Sequence, residues 1–229
     1  GPVWLPSTLG VGIAVVAGLT ATLGNLAALA QADLKRFFAY STVAHAGYVL
    51  MALSTLSRDG AAAAIFYMAA YLPANLGAFV AIAAIRDRTG SEEVDACRGL
   101  AARSPVVGLG LAFCVASLLG IPPLVGFAGK FQAFAAVYDA GREAASYGRP
   151  DVGSVYLVLL GVGVVNTAIS AGYYLRLLRR ILLDEPSEGA GQLGESKLVA
   201  GLIAILAAAT LAMGLGWGFL AEAAFAAFR

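Results

Sequence analysis

The chain has 229 residues, of which 60% are hydrophobic and 13% charged, with a formal net charge of +1. Soluble domains average about 45–50% apolar and about 25% charged residues, so this composition excludes an ordinary soluble globule and makes lipid the solvent for much of the surface. The near-neutral charge argues against a nucleic-acid partner, and the two cysteines, Cys97 and Cys114, fit no metal-ligand spacing and no disulfide framework.

The chain enters an apolar stretch almost at once, with Gly1 in place of an initiator Met and no basic leader. It reads as part of a longer protein. Six apolar segments follow, at about 5–30, 37–56, 61–85, 105–138, 155–178 and 198–225. Each is long enough to cross about 30 Å of hydrocarbon at about 1.5 Å per residue, and none alternates as a barrel strand would. The predicted fold is an all-α, polytopic transmembrane bundle of six spans forming a single membrane domain.

The second segment begins with Asp33, Lys35 and Arg36. Lys35 is either an interfacial anchor or a point of proton uptake from the cytoplasm. His45, the single histidine, sits eight residues in, with Ser41 at i−4 and Tyr48 at i+3 on the same helix face. Its unperturbed pKa near 6.5 makes it a natural proton carrier; the alternative is a neutral histidine whose ring nitrogens are satisfied locally. The third segment carries a polar stripe of Tyr67, Tyr71 and Asn75, and the fifth carries Asn166, Ser170, Tyr173 and Tyr174. Such stripes hold membrane helices together by hydrogen bonds or orient a water chain.

The fourth segment is anomalous. Its 34 residues would make a straight helix of about 50 Å, too long for one span and too short for two. In its middle stands Gly120-Ile121-Pro122-Pro123. Paired prolines remove two backbone donors and break a helix, and broken helices at membrane depth occur where backbone lines a cavity or is buried in protein. Seven residues past Pro123 lies Lys130. A charge at the bilayer centre costs at least about 2.5–3.5 kcal/mol, so Lys130 must face protein or water. Two readings stand: a proton relay, or a structural lysine hydrogen-bonded to carbonyls freed by the break. Cys114 reads as a small packing residue, and the loop from Arg86 to Arg103, with Glu92, Glu93 and Asp95, as solvated.

Alternating the loops by side places ten basic residues together: Lys35, Arg36, Arg86, Arg88, Arg98, Arg103, Arg176, Arg179, Arg180 and Lys197. Arg58, Arg142, Arg149 and Arg229 fall on the other side. The positive-inside rule makes the first side cytoplasmic, with both termini of the chain outward. The stretch from Asp184 to Gly194 reads as a flexible cytoplasmic linker. No phosphate loop, metal-ligand cluster or nucleophile–base pair is present in the sequence.

Two runs carry a resemblance. One is Gly24-Asn25-Leu26-Ala27-Ala28-Leu29 with Asp33-Leu34-Lys35-Arg36-Phe37-Phe38-Ala39-Tyr40-Ser41-Thr42-Val43-Ala44-His45-Ala46-Gly47-Tyr48. The other is Gly120-Ile121-Pro122-Pro123-Leu124-Val125-Gly126-Phe127-Ala128-Gly129-Lys130-Phe131. Together they resemble the antiporter-like membrane subunits of respiratory complex I. The run Ser170-Ala171-Gly172-Tyr173-Tyr174-Leu175-Arg176 resembles the subunit N type.

The resemblance implies fourteen helices with two inverted five-helix repeats, of which this chain holds the second repeat and the terminal helix. It implies that Lys130, on the Gly-Lys-Phe pattern, occupies the family's proton-transfer position on a discontinuous helix. The implied role is proton translocation coupled to quinone reduction elsewhere, in a bacterial inner membrane, among neighbouring membrane subunits, lipid, protons and water. The chain itself would bind no cofactor and perform no redox catalysis. A subunit of a multisubunit sodium/proton antiporter and a scaffold that moves no protons are the competing readings.

Overall fold

The computed structural model describes residues 7–186, 191, 192, 194 and 196–227. Leu5 at the expected start of the first span, part of the 184–194 linker, and Arg229 lie outside them. Nine α-helices and one short 3₁₀ turn account for nearly all of the described chain.

The first three helices are α1 (Ser7–Leu29), α2 (Leu34–Ser54) and α3 (Arg58–Thr89). Their ends follow local chemistry. Asp33 caps α2 by accepting from the Arg36 amide at 2.7 Å, and Ser57 caps α3 by accepting from the Gly60 amide at 3.0 Å. Gly90, at φ 69°, closes α3 in the left-handed conformation behind Arg86 and Arg88 in its last turn. Helices α1 and α2 touch backbone to backbone. A Cβ on Gly24 would lie 2.5 Å from the Ala44 amide nitrogen, and one on Gly47 would lie 2.5 Å from that of Ala21. This reciprocal glycine contact is the small-residue packing of membrane helices, and it brings Asn25 up against the His45–Tyr48 turn.

The loop after α3 departs from the expectation of a solvated segment. It folds into a 3₁₀ turn (Val94–Cys97) and the single-turn α4 (Leu100–Arg103). Val94, Cys97 and Leu100 are buried. The Leu34 amide donates to Glu92 O at 2.7 Å, Val94 N to Ala32 O at 2.8 Å and Gly99 N to Arg180 O at 2.9 Å. Arg180 pairs with Asp95 at 2.7 Å. Three buried apolar residues within a charged loop are the reason it docks rather than floats. Burial pushes the Cys97 thiol up to about 12.

The predicted fourth span is two helices, α5 (Pro105–Leu119) and α6 (Val125–Ser146), broken where the Gly/Pro run predicts. Next come α7 (Pro150–Leu182), α8 (Lys197–Leu215) and α9 (Trp217–Ala226). The sixth span was expected to be continuous. Instead it is interrupted at Gly216, where α9 turns to pack Ala221 against Phe66, Ala70, Val125 and Ala128. Helices α1, α2, α3, α7 and α8 are each long and apolar enough to cross a membrane. Cys114 is fully buried against Gly77.

The hydrogen bonds above gather residues 30–34, 86–104 and the end of α7 at one end of the bundle, where Arg103 also donates to Gly191 O at 3.3 Å. This is the basic end. At the opposite end, Tyr156 donates to Ser54 O at 2.7 Å.

Candidate functional site

The break between α5 and α6 is built from backbone chemistry. Gly120, at φ 94°, takes the left-handed position that ends α5. Its amide donates to Ser117 O at 3.0 Å, and the Ile121 amide donates to Ala116 O at 3.1 Å. In a continuous helix the Leu119 carbonyl would accept from residue 123, which is a proline with no N–H. The side-chain amine of Lys130 supplies the missing donor: Nζ lies 2.8 Å from Leu119 O. Lys130 comes back to the break from the second turn of α6 and is only 5% exposed. Its Nζ also lies over the Tyr48 ring, 5.3 Å from the centroid, a cation–π arrangement.

Tyr48 stands between Lys130 and His45, whose ring meets that of Tyr48 edge-on at 6.0 Å. Both imidazole nitrogens are engaged. Nδ1 is 2.8 Å from the Tyr67 hydroxyl and Nε2 is 3.2 Å from the Tyr174 hydroxyl. Tyr174 shares a further hydrogen bond with Ser41. A hydroxyl both donates and accepts, so this cluster can follow either tautomer of His45 by turning O–H bonds alone. Between His45, Tyr67, Tyr71, Ser117 and Gly126 lies a small cavity of about 10 Å³, about the room one buried water needs. It links His45 to the end of α5.

A second cluster centres on Asn25, which is fully buried. Its Nδ2 donates to Asn166 Oδ1 at 3.1 Å and to the Tyr48 hydroxyl at 3.4 Å, and its Oδ1 accepts from Tyr173 at 2.9 Å. Asn166 donates in turn to Thr22 at 2.9 Å, and Thr167 reaches the Tyr48 hydroxyl at 3.4 Å. The two clusters meet where the Tyr173 and Tyr174 rings approach to 4.5 Å.

The structure thus sets Lys130 and the Tyr48 ring at the Gly120–Pro122–Pro123 break, gathers His45 and Ser41 around Tyr174, and gathers Asn166 and Tyr173 around Asn25, which meets Tyr48. Tyr71 belongs to the rim, donating to Thr42 at 2.8 Å with its ring 4.9 Å from that of His45. Ser170 does not join the network, because its hydroxyl donates locally to Thr167 O at 2.7 Å. Lys35 lies apart, exposed in the first turn of α2 at the basic end. Sequence reasoning left Asn25 unassigned and gave Tyr67 and Tyr174 no place beside His45. The signal for Asn25 was a lone amide directly after Gly24 in an apolar helix, where the glycine permits the close approach that the amide needs.

Residues 7–147 match a family model described as NADH:quinone oxidoreductase/Mrp antiporter, TM. The chain is 42% identical over 176 residues to the NADH-quinone oxidoreductase subunit N of Anaeromyxobacter sp. (strain Fw109-5), covering 76% of this chain and 32% of that protein. It is 38% identical over 232 residues to subunit N of Desulfovibrio desulfuricans, covering 95% of this chain and 41% of the relative. Among solved structures, a chain of respiratory complex I from Thermus thermophilus with bound aureothin superposes with a TM-score of 0.73 at 34% identity, over 92% of this chain and 44% of that one. A chain of the Mrp complex from Dietzia sp. superposes with a TM-score of 0.82 at 25% identity, over 97% and 47%. The chain therefore spans about a third to under half of the length of these relatives.

Proposed function

The chain belongs to the NADH:quinone oxidoreductase/Mrp antiporter transmembrane family, and on that premise we propose that it carries protons as part of an N-type subunit of a proton-pumping NADH–quinone oxidoreductase. The observation that carries the proposal is the burial of Lys130 over the Tyr48 ring, which in turn meets His45 and its hydroxyl cluster; its bond to the Leu119 carbonyl, which a structural lysine would make as well, anchors it at the break. Burying such a charge is costly, and one carbonyl and one aromatic face are partial compensation. A group in that position changes protonation when a neighbouring charge changes. Tyr48, His45, Tyr67, Tyr174 and Ser41 then supply the hydroxyl and imidazole groups along which a proton or a water can be passed. Quinone reduction occurs elsewhere in the complex and drives the cycle. This chain contributes no redox group of its own, and its partners are the neighbouring membrane subunits and the lipid of a bacterial inner membrane. The positive-inside rule makes the basic end cytoplasmic and both ends of the chain outward.

The test is Lys130→Ala in the complete subunit, assembled in its complex in sealed vesicles, with protons moved per electron as the readout. Pumping is expected to be lost while quinone reduction by the assembled complex continues. Unchanged pumping would sink the relay and favour a scaffold role. A second reading, a subunit of a multisubunit sodium/proton antiporter, draws support from the higher TM-score with the Mrp complex. Replacing sodium by potassium separates the two: the oxidoreductase reading expects proton movement to continue, and the antiporter reading expects it to stop.

A further inference from the structure

A cavity of about 250 Å³ opens at the basic end between the α1–α2 turn, the docked 3₁₀ turn and α7. Its mouth carries Gln31, Glu93, Asp95, Arg176 and Arg180, and Phe37 and Tyr173 also line it. Phe37 is 3% and Tyr173 2% exposed, so these two rings form its floor. The mouth holds two carboxylates and two guanidiniums. Arg180 and Asp95 are already paired at 2.7 Å, so the mouth attracts neither an anion nor a cation strongly, while its polar groups favour water over an apolar occupant. The chemistry fits water and the protons water carries.

We propose that this cavity is an aqueous access to the buried Lys130 site, opening at the basic end, with Tyr173 as its inner gate. The proposal rests on the proton-carrying reading above and adds to it a route from the basic end.

The gate follows from the geometry of the floor. The Phe37 ring meets Tyr173 edge-on at 5.1 Å and 88°, and the Tyr173 hydroxyl is held by Asn25 Oδ1 at 2.9 Å. On the inner side, Asn25 contacts the Tyr48 hydroxyl, and Tyr48 faces Lys130 Nζ. Tyr173, Asn25 and Tyr48 are thus the partition between the cavity and the ammonium. The carboxamide of Asn25 is too weak a base to pass a proton onward. Protons must therefore cross on water, admitted when Tyr173 turns away from Asn25. One side-chain rotation opens the partition, and the Asn25 bond restores it.

The experiment places a cysteine in the mouth, as Gln31→Cys and separately as Ala30→Cys, in the complete subunit within its complex. Sealed vesicles are treated, from the side bearing the basic loops, with a bulky, membrane-impermeant cationic thiosulfonate. Arg98→Cys, on the exposed part of the same end, marks that side and controls for labelling outside the cavity. Labelling of the mouth cysteines is expected to remove most of the proton pumping, and a thiol reductant is expected to restore it, while labelled Arg98→Cys keeps pumping. Full labelling of both mouth positions with pumping intact would overturn the proposal, and so would failure of both to label from that side. If Lys130→Ala itself keeps pumping, the underlying reading fails. If Lys130→Ala loses pumping but the plugged cavity is harmless, the access at the basic end alone fails.

Discussion

Two helices of this protein are interrupted side by side, and only one interruption has a buried lysine docked on it. Between α5 and α6, two prolines delete donors, Gly120 reverses the backbone, and a buried lysine returns to the orphaned Leu119 carbonyl. Between α8 and α9, Gly216 bends the chain at φ −98° and ψ 20°, in the ordinary half of backbone space. The hydrogen bonds there run almost uninterrupted: Gly216 N donates to Ala212 O at 3.0 Å and Leu220 N to Gly216 O at 3.4 Å. The neighbouring Gly214 packs directly on the Pro123 carbonyl and the Val125 amide, so the second bend accommodates the first. A break in a membrane helix becomes a site when it leaves a carbonyl unpaired and a charge is aimed at it. A bend that keeps its hydrogen bonds is packing.

That contrast can be broken by experiment, most strongly at the prolines. Pro122→Ala combined with Pro123→Ala returns an N–H to the Leu119 carbonyl and removes the reason for Lys130 to dock there. The rate of proton pumping is expected to fall by up to about a hundredfold, by analogy with the cost of misplacing a reacting group by an ångström. Gly216→Ala should leave pumping as it was, and equal losses in both variants would erase the distinction.

The next effect is on stability. Gly120→Ala puts a side chain on a left-handed residue, which costs about 1–2 kcal/mol, and its Cβ would also come within 3.4 Å of Lys130 Cδ. A lower midpoint of thermal inactivation is expected. Gly216→Ala has the opposite sign, stabilising by about 0.4–1 kcal/mol, because its backbone is already compatible and its nearest neighbour is the Ala212 carbonyl at 3.4 Å.

The smallest expected effect is at the basic end. With its thiol pushed up to about 12 by burial, Cys97 stays protonated at any pH below that value, and the thiolate is the form that reacts. Alkylation of the folded protein at pH 8 should leave Cys97 unmodified, whereas unfolding should expose it. Rapid modification in the folded state would mean that the 94–97 turn is not docked.

Much of this architecture is legible in the sequence because its causes are local. Hydropathy over about twenty residues is enough to place a helix in lipid, and a proline withholds its N–H wherever it stands. The break at Gly120–Pro123 and the burial of Lys130 follow from those facts alone. The docked 94–97 turn was less legible. Its charges suggest solvent, and three apolar residues matter only once the ends of α2 and α7 offer them a surface. The bend at Gly216 was not legible at all, since a lone glycine in an apolar run gives no sign of the Pro123 carbonyl it must fit.

The sequence by itself determined that this is a membrane-embedded helical protein with one broken helix and one lysine that needs a partner. Tertiary structure decided who that partner is and what surrounds it. Asn25 meets Asn166 and Tyr173 across more than 140 residues of chain, and His45 meets Tyr174 across 129. No local pattern encodes such pairs. They form because the glycines of α1 and α2 let two backbones touch and because α7 then packs its polar face against both. A hydrogen bond acts over about 3 Å, so which polar residues meet is settled only when the helices have taken their places.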